Sequence, residues 1–211
     1  MHTRTLSILA ITALAVMLPT GRDTVHAQRA PDVVRYTVAP QGNEARYRVR
    51  EQLARLSFPN DAIGKTSKIE GGITVDASGA IVQSESRFTI DMASLATDSD
   101  RRDNYVRRNT LQTAEHPTAV FVPTAFRNLK FPLAASGDVT FQIVGNLTLR
   151  GVTKPVTWDV TGKIANGAIT GDATTRFTFA DFEIAKPRVA SVLSVEDDIR
   201  LEYTFHLVRQ Q

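Results

Sequence analysis

The sequence predicts an all-β protein, an antiparallel barrel with one short helix between two of its strands. Apolar and polar residues alternate with period two through most of the chain after residue 32. Turn signals such as 76–79 (DASG) and 166–167 (NG) separate these runs at intervals too short for parallel crossovers. Several runs exceed ten residues, which is long for a small sandwich and favours an up-and-down barrel of about eight strands.

The alternating runs locate the strands and the face on which each side chain lies. Between residues 138 and 150, for example, Val139, Phe141 and Ile143 share one face and polar residues share the other. The predicted strands cover residues 33–39, 44–52, 67–76, 80–92, 118–126, 138–150, 156–164, 169–179 and 199–207.

An arginine-rich segment, residues 98–109, interrupts the alternation and predicts the single helix. Asp98 or Ser99 is suited to cap its N-terminus. Tyr105 and Val106 supply an apolar side that would face the barrel, so we expect the helix to lie across one end.

Two other features suggest close packing. The paired glycines of the stretch IEGGIT (residues 69–74) lie within a strand pattern, which indicates a bulge or a close approach of neighbouring backbone. Residues 181–197 are long and rather apolar for a surface loop. We therefore expect this loop to pack over an opening of the barrel.

Residues 1–27 have the three regions of a secretory signal peptide: a basic start, an apolar run at 6–18 and a small-x-small pattern ending at Ala27. The apolar run is shorter than the roughly 20 residues of a membrane-spanning helix. We therefore expect removal of 1–27, a single mature domain of residues 28–211, a periplasmic or secreted location and no transmembrane segment. The chain has no cysteine, so its core must hold the fold without disulfides.

Composition argues against several classes of function. Without residues 1–27 the chain has 23 basic and 21 acidic residues, a net charge of +2, which does not favour nucleic acid as a partner. The remaining histidines, His116 and His206, do not have the spacing of metal ligands. Nucleophile-elbow and phosphate-loop motifs are absent. The sequence thus predicts no metal, no cofactor and no enzymatic activity.

The large aromatic side chains fall mostly on the inward face. They are compatible with an ordinary filled core and also with an elongated apolar cavity. The period-two pattern does not decide between these two alternatives. The inward aromatic residues are Phe88, Phe121, Phe141, Trp158, Phe177, Phe179 and Phe205.

Three stretches resemble the YceI-like family. Residues 143–160, IVGNLTLRGVTKPVTWDV, resemble its hallmark G-x-L-t-i-x-G-v-t-k-p-v. Residues 91–126 resemble its S-l-x-T, R-D and P-x-i-x-F segment, and residues 177–184, FTFADFEI, occupy the place of its R-x-d-F-G-i strand. The resemblance covers about 33–208 in the family's order.

This resemblance implies a lipocalin-like antiparallel barrel of about eight strands in the bacterial periplasm. It also implies an interior that binds a long isoprenoid, either a polyprenyl lipid or the tail of a quinone, without catalytic residues. A homodimer is compatible with it. The residues expected to line the ligand site are Phe88, Ile90, Phe121, Phe141, Leu147, Leu149, Trp158, Phe177 and Phe179.

The arginine-rich helix allows two interpretations. In the first, it is a solvated face with local salt bridges; in the second, Arg101 and Arg102 meet the head group of a ligand at the rim. The chain also departs from the family pattern. Glu183 stands where the family has glycine, and residues 57–68 form an insertion before the next predicted strand.

Other functions remain open at this point. An envelope stress or interaction module that binds a protein or a membrane surface, with no internal ligand, would have a filled interior and an exposed apolar patch. An enzyme on the same scaffold would need titratable groups that point inward, whereas the inward positions are almost all apolar.

Overall fold

The structure is a computed structural model and describes residues 33–210. One antiparallel sheet contains ten strands, eight of which close into a ring, and a single short α-helix lies between β5 and β6. This confirms the predicted fold class. The strands are β1 (Val33–Val38), β2 (Glu44–Leu53), β3 (Asn60–Thr66), β4 (Ile69–Asp76), β5 (Arg87–Asp91), β6 (Thr118–Arg127), β7 (Gly137–Leu149), β8 (Val152–Ala165), β9 (Ala168–Phe177) and β10 (Val192–Arg209).

The long final strand closes the ring. One edge of β10 pairs with β9 from Ile199 to Val208. Its other edge is shared: the C-terminal end pairs with β1, and the remainder pairs with β2. The closed ring therefore runs β1-β4-β5-β6-β7-β8-β9-β10, with sequential neighbours throughout β4 to β10. Closure of this kind leaves the ring without a free edge.

The hairpin of β2 and β3 flanks the ring beside β10. The sequence-based prediction placed residues 57–68 in an insertion, and it was wrong for β3, which pairs with β2 from Ala45 to Glu51. The strand escaped prediction because its inward positions are small. Gly64 must be small because a Cβ there would lie 2.2 Å from the ring of Tyr47.

The predicted turn chemistry is present. Asn166 and Gly167 both have positive φ, at 53° and 74°, as a type I′ hairpin turn requires. Gly71 has φ of 111°, and a Cβ on it would lie 1.9 Å from the carbonyl oxygen of Arg87. The interpretation of the glycine pair as a close backbone approach is thus confirmed.

The helix α1 (Asp100–Tyr105) starts at Ser99, whose hydroxyl accepts a hydrogen bond from the Arg102 backbone N–H. It continues into a π-type turn, in which the Leu111 N–H donates to the Val106 carbonyl at 2.8 Å. The side chains of Val106 and Leu111 belong to the hydrophobic core. One side of the helical segment therefore packs inward.

The loop predicted at 181–197 is shorter than expected. Phe182 and Ile184 are buried, only 1% and 7% exposed. However, β10 begins at Val192, whose register partner is Leu53 of β2, seven residues earlier than the predicted start at 199. Leu193 is 68% exposed and does not pack over the barrel. The prediction failed here because bulges at 192–194 and 195–199 break the alternation.

The predicted signal peptide, residues 1–27, lies outside the described residues. Within residues 33–210, no helix has the length and apolar character needed to cross a membrane. The described residues all belong to one compact unit.

Candidate functional site: an apolar cavity inside the barrel

The ring encloses a cavity of about 190 Å³. It forms because inward apolar side chains of the eight strands alternate with outward polar ones, so every strand has its apolar face toward the same interior. The cavity extends from the strand ends near α1 to the loop 128–136 at the opposite end. Residues of the wall include Tyr36, Tyr47, Ile73, Phe88, Ile90, Phe121, Phe126, Phe131, Phe141, Leu147, Leu149, Trp158, Ala173, Tyr203 and Phe205.

Aromatic contacts hold the wall in place. The rings of Phe121 and Trp158 meet edge to face with centroids 6.0 Å apart. Those of Phe126 and Phe141 meet in the same way at 5.7 Å. Such geometry is favourable beyond the burial of area alone. The cavity is therefore bounded by side chains that are packed against one another.

Most of the residues predicted to line a ligand site lie in this wall. Phe88, Ile90, Phe121, Phe141, Leu147, Leu149 and Trp158 all border the cavity. Phe177 and Phe179 do not: both are buried beyond its end near α1, and the ring of Phe177 packs against Phe182 with centroids 4.6 Å apart. These two side chains help to fill that end of the barrel, because the 3₁₀ turn Phe179–Phe182 folds back over the strand ends.

Sequence reasoning missed part of the wall. The connection between β6 and β7 contributes Leu129, Phe131 and Leu133. These residues show no strand periodicity, and the signal that could have found them is their apolar character inside a connection. Tyr47 was also missed, because β2 carries three arginines and has the pattern of a polar strand.

Apart from Arg46 Nε, which lies in an ion pair with Glu202, two polar atoms of cavity-lining residues lack a hydrogen-bond partner among the described residues. They are the indole Nε1 of Trp158 and the hydroxyl of Tyr47, and both atoms are buried. The hydroxyl of Tyr203, by contrast, donates to Asn43 Oδ1 at 2.9 Å. Burial raises the pKa of Tyr47 to about 12, so its hydroxyl keeps its proton at neutral pH. The apolar wall thus includes two donors whose hydrogen-bonding capacity is unused.

The charged residues that border the cavity pair with each other. Arg46 on β2 and Glu202 on β10 are neighbours in the sheet, with Nε and Oε2 3.3 Å apart. Glu202 also accepts from Arg48 and lies within 3.2 Å of Arg200. These groups neutralise one another and leave the interior without a free charge among the described residues.

The two predicted rim arginines lie outside the cavity wall. Arg101 is exposed. Arg102 lies in a polar cluster beside the wall, where its Nη2 donates to Glu51 Oε1 at 2.8 Å and its Nη1 pairs with Asp98. Burial would lower the pKa of Arg102, but the hydrogen bond to Asp98 and the charge of Glu51 outweigh it and raise that pKa.

The same cluster fixes the start of the helix. The buried carboxylate of Asp103 accepts hydrogen bonds from the backbone N–H and the hydroxyl of Thr97, at 2.9 and 2.7 Å. This part of the arginine-rich segment therefore has a structural role: it holds α1 against β2 and against the loop before the helix.

In the part of the chain that the structure describes, no three His, Cys, Asp or Glu side chains come together as a metal site would require. His206 lies with its Nδ1 3.2 Å from the Gln41 carbonyl oxygen. His116 lies close to Gly151. The two histidines of the described chain are thus at separate places.

Curated relatives share part of this sequence. The chain is 34% identical over 94 residues to a UPF0312 protein of Azotobacter vinelandii, an overlap of 44% of this chain and 45% of the relative. It is 33% identical over 126 residues to one of Pseudomonas putida, covering 56% and 62%. A third, from Ectopseudomonas mendocina, is 29% identical over 174 residues, covering 76% and 85%. The chain thus spans 45% and 62% of the length of the first two.

Solved structures share the fold. A polyisoprenoid binding domain from Saccharophagus degradans superimposes with a TM-score of 0.65 at 14% identity, covering 83% of this chain and 98% of that one. BcnA of Burkholderia cenocepacia gives 0.56 at 20% identity, covering 79% and 95%. The YCEI protein of Campylobacter jejuni gives 0.55 at 20% identity, covering 76% and 91%.

The match to a family model covers nearly the whole described chain. The model of the YceI-like domain matches residues 36–207, from within β1 to near the end of β10. This range includes at least part of every strand of the ring and every residue of the cavity wall named above. The chain therefore belongs to the YceI-like family.

Proposed function

We propose that this protein binds a long amphiphile, of the polyisoprenoid or quinone type, inside the barrel. The observation that carries the proposal is the cavity inside the barrel, whose wall is almost wholly apolar and packed from side chains of all eight ring strands. The solved polyisoprenoid binding domain, which shares the fold, supports the same class of ligand. An interaction module without an internal ligand would have a filled interior, so the cavity favours ligand binding over that alternative.

The mechanism is physical. An isoprenoid chain that leaves water for this cavity gains about 25 cal/mol for each Å² of apolar surface that is buried. The aromatic contacts within the wall are already formed, so the site needs little reorganisation to accept a chain. Apart from its two unpaired donors, the wall offers the chain apolar contacts, which suits branched, water-insoluble hydrocarbon.

The two unpaired donors would hold the polar end of the ligand. Trp158 Nε1 and the Tyr47 hydroxyl can each donate to an oxygen, and a buried donor without a partner costs about 1–3 kcal/mol. A carbonyl or hydroxyl oxygen on the ligand would recover that cost. The absence of a free cation in the described cavity wall suits a neutral head group better than a phosphate.

Other parts of this proposal rest on the sequence. The predicted signal peptide supports a periplasmic or secreted location, where a carrier would shield the ligand from water. We expect no enzymatic activity and no cofactor other than the bound lipid-like molecule. Transport of the ligand between sites in the envelope is the role that this location suggests.

The single tryptophan gives a direct test of binding. Trp158 lies in the cavity wall, so a long-chain quinone that enters the barrel should quench its fluorescence in a saturable way. We expect Ala173→Phe, which adds bulk inside the cavity, to weaken this quenching strongly. Thr170→Phe, on the exposed face of the same strand, is the matched control and should quench like the parent. Equal quenching in both variants would contradict binding in the cavity.

A further inference from the structure

An exposed apolar tip projects from the barrel at the end where β2 finishes and β10 begins. Phe58 is 79% exposed, Leu193 is 68% exposed and Leu56 is 42% exposed. They are three of the four large apolar side chains that stand out as exposed in the described chain, the fourth being Val33. Burial in the barrel does not explain these residues.

Two segments distant in sequence form this tip. The Ala54 N–H donates to the Ser191 carbonyl at 3.0 Å, and Leu53 is the register partner of Val192. The connection from β2 to β3 and the start of β10 are therefore held side by side. We call residues 53–59 and 186–193 together the β2/β10 tip.

The charge of the β2/β10 tip is uniformly positive. Arg55, Lys186 and Arg188 are all exposed, and neither segment contains an acidic residue. The nearest acidic side chains in sequence flank the tip. Of these, Glu51 and Asp61 are paired with arginines. Glu183, three residues before Lys186, and Glu196, which begins the acidic run 196–198 three residues beyond Leu193, are exposed.

We propose that the β2/β10 tip docks on an anionic lipid bilayer. Exposed apolar side chains next to basic ones are the composition of interfacial membrane-binding segments, in which the apolar groups enter the headgroup region and the cations remain at the surface. Each Lys or Arg near an anionic bilayer raises the affinity about fivefold. The charge complementarity thus points to anionic lipid.

A protein partner fits the tip less well. A stable protein–protein interface buries about 800 Å² on each partner and has an apolar centre within a polar rim. The tip instead presents only three exposed apolar side chains, together with three exposed cations, on two short segments. A few inserted side chains and a positive surface are sufficient for weak, reversible contact with a bilayer.

This docking would give the barrel a way to collect or deliver its ligand. That consequence rests on the proposed function, since an isoprenoid amphiphile resides in a bilayer when it is not bound. The docking itself does not depend on the ligand, so the two proposals can fail separately.

The chain contains no cysteine, so a single introduced cysteine can report from a chosen position of the full chain. Phe58→Cys and Leu193→Cys would each carry an environment-sensitive fluorophore. Ala135→Cys, on the exposed connection between β6 and β7 at the opposite end, is the control. This design separates the tip from any membrane contact made by residues 1–27, because it reads the position of the label rather than total binding.

With vesicles of equal phosphatidylglycerol and phosphatidylcholine, we expect a blue shift at 58 and 193 and none at 135. Pure phosphatidylcholine vesicles should give a much smaller shift at every position, and the shift should weaken as salt is raised. No shift at 58, or the same shift at 58 and 135, would overturn the proposal. A shift at 58 with envelope proteins but not with vesicles would overturn it in favour of a protein partner.

A charge variant provides the second readout. Replacing Arg55, Lys186 and Arg188 together by glutamine should weaken vesicle binding of the 58-labelled protein by about a hundredfold, at fivefold per residue. The same variant should retain quenching of Trp158 by a long-chain quinone, because the substituted residues lie outside the cavity. Unchanged vesicle binding would contradict docking, whereas loss of quinone quenching in the unsubstituted protein would contradict the proposed ligand site alone.

Discussion

Arg102 Nη2 lies 2.8 Å from Glu51 Oε1, which ties the start of the helix to β2. The Glu51 side chain is only 8% exposed and that of Arg102 17%, so the buried Glu51 carboxylate depends on Arg102 for charge compensation. The relationship changes the interpretation of the arginine-rich segment. One of its arginines is a structural contact, and the exposed Arg101 beside it is not held in the same way.

Arg102→Ala should destabilise the protein, because it leaves the Glu51 carboxylate buried without its partner. We expect the free energy of unfolding to fall by about 2 kcal/mol, less than for a fully buried pair, because Arg102 is partly exposed. Arg101→Ala is the matched control and should change stability by less than about 0.5 kcal/mol. Urea denaturation of the two variants measures the difference, and equal stability would show that the pair contributes nothing.

Tyr47→Phe should separate ligand recognition from stability. It removes an unpaired buried hydroxyl, so the ligand-free protein should be as stable as the parent or more stable by about 1 kcal/mol. Affinity for a long-chain quinone should fall about five- to tenfold, since one hydrogen bond to the head group is lost. Affinity for squalene, which has no polar atom, should not change. Trp158 fluorescence measures the stability during urea unfolding, the quinone affinity by quenching, and the squalene affinity by displacement of the quinone.

Alkaline pH should reveal the buried tyrosines. Burial raises the pKa of Tyr47 to about 12 and raises the pKa of Tyr203 as well. The folded-state pKa of Tyr47 exceeds the ordinary tyrosine value of about 10. The contribution of the neutral Tyr47 hydroxyl to the free energy of unfolding is therefore complete below pH 10 and is lost as the pH rises from about 10 to 12. Ultraviolet titration should therefore show Tyr47 and Tyr203 ionising late, with the Tyr47 component missing in Tyr47→Phe. Ionisation of both near pH 10 would contradict the burial.

Glu183→Gly should stabilise the fold. Glu183 ends the 3₁₀ turn with φ of 54°, a left-handed conformation that is unfavourable for a residue with a Cβ and that explains the family's glycine at this position. After allowance for the greater entropy of glycine in the unfolded chain, we expect a gain of about 0.5–1 kcal/mol. Glu183→Ala, which keeps the Cβ, should show no such gain in thermal unfolding. A gain with alanine would assign the effect to the carboxylate.

Period-two alternation located every ring strand, because each of them has one face against the apolar interior. The predicted strand 80–92 was too long, since a 3₁₀ turn at Gln83–Glu85 precedes β5 (Arg87–Asp91). The alternation failed where one face does not lie against the apolar interior. The inward positions of β3 include Gly64, whose size is dictated by the Tyr47 ring on the neighbouring strand, a long-range contact that leaves no local signature. At the start of β10, bulges interrupt the alternation, so the first residues of that strand were not predicted.

The candidate site was predicted in outline for the same reason. Seven of the nine predicted apolar residues line the cavity because their face of the sheet was readable from the sequence. Phe177 and Phe179 share that face, but their depth along the barrel depends on the 3₁₀ turn that folds over its end. The unpaired donors of Tyr47 and Trp158 could not be predicted, since satisfaction of a polar atom depends on its neighbours in three dimensions.

The most direct test of the account is native mass spectrometry of the protein purified without added lipid. The account predicts a bound species of several hundred daltons that organic extraction removes. That species should be present in the Thr170→Phe protein and depleted in the Ala173→Phe protein. A bare polypeptide mass that stays unchanged after incubation with a long-chain quinone or a polyprenol would contradict it.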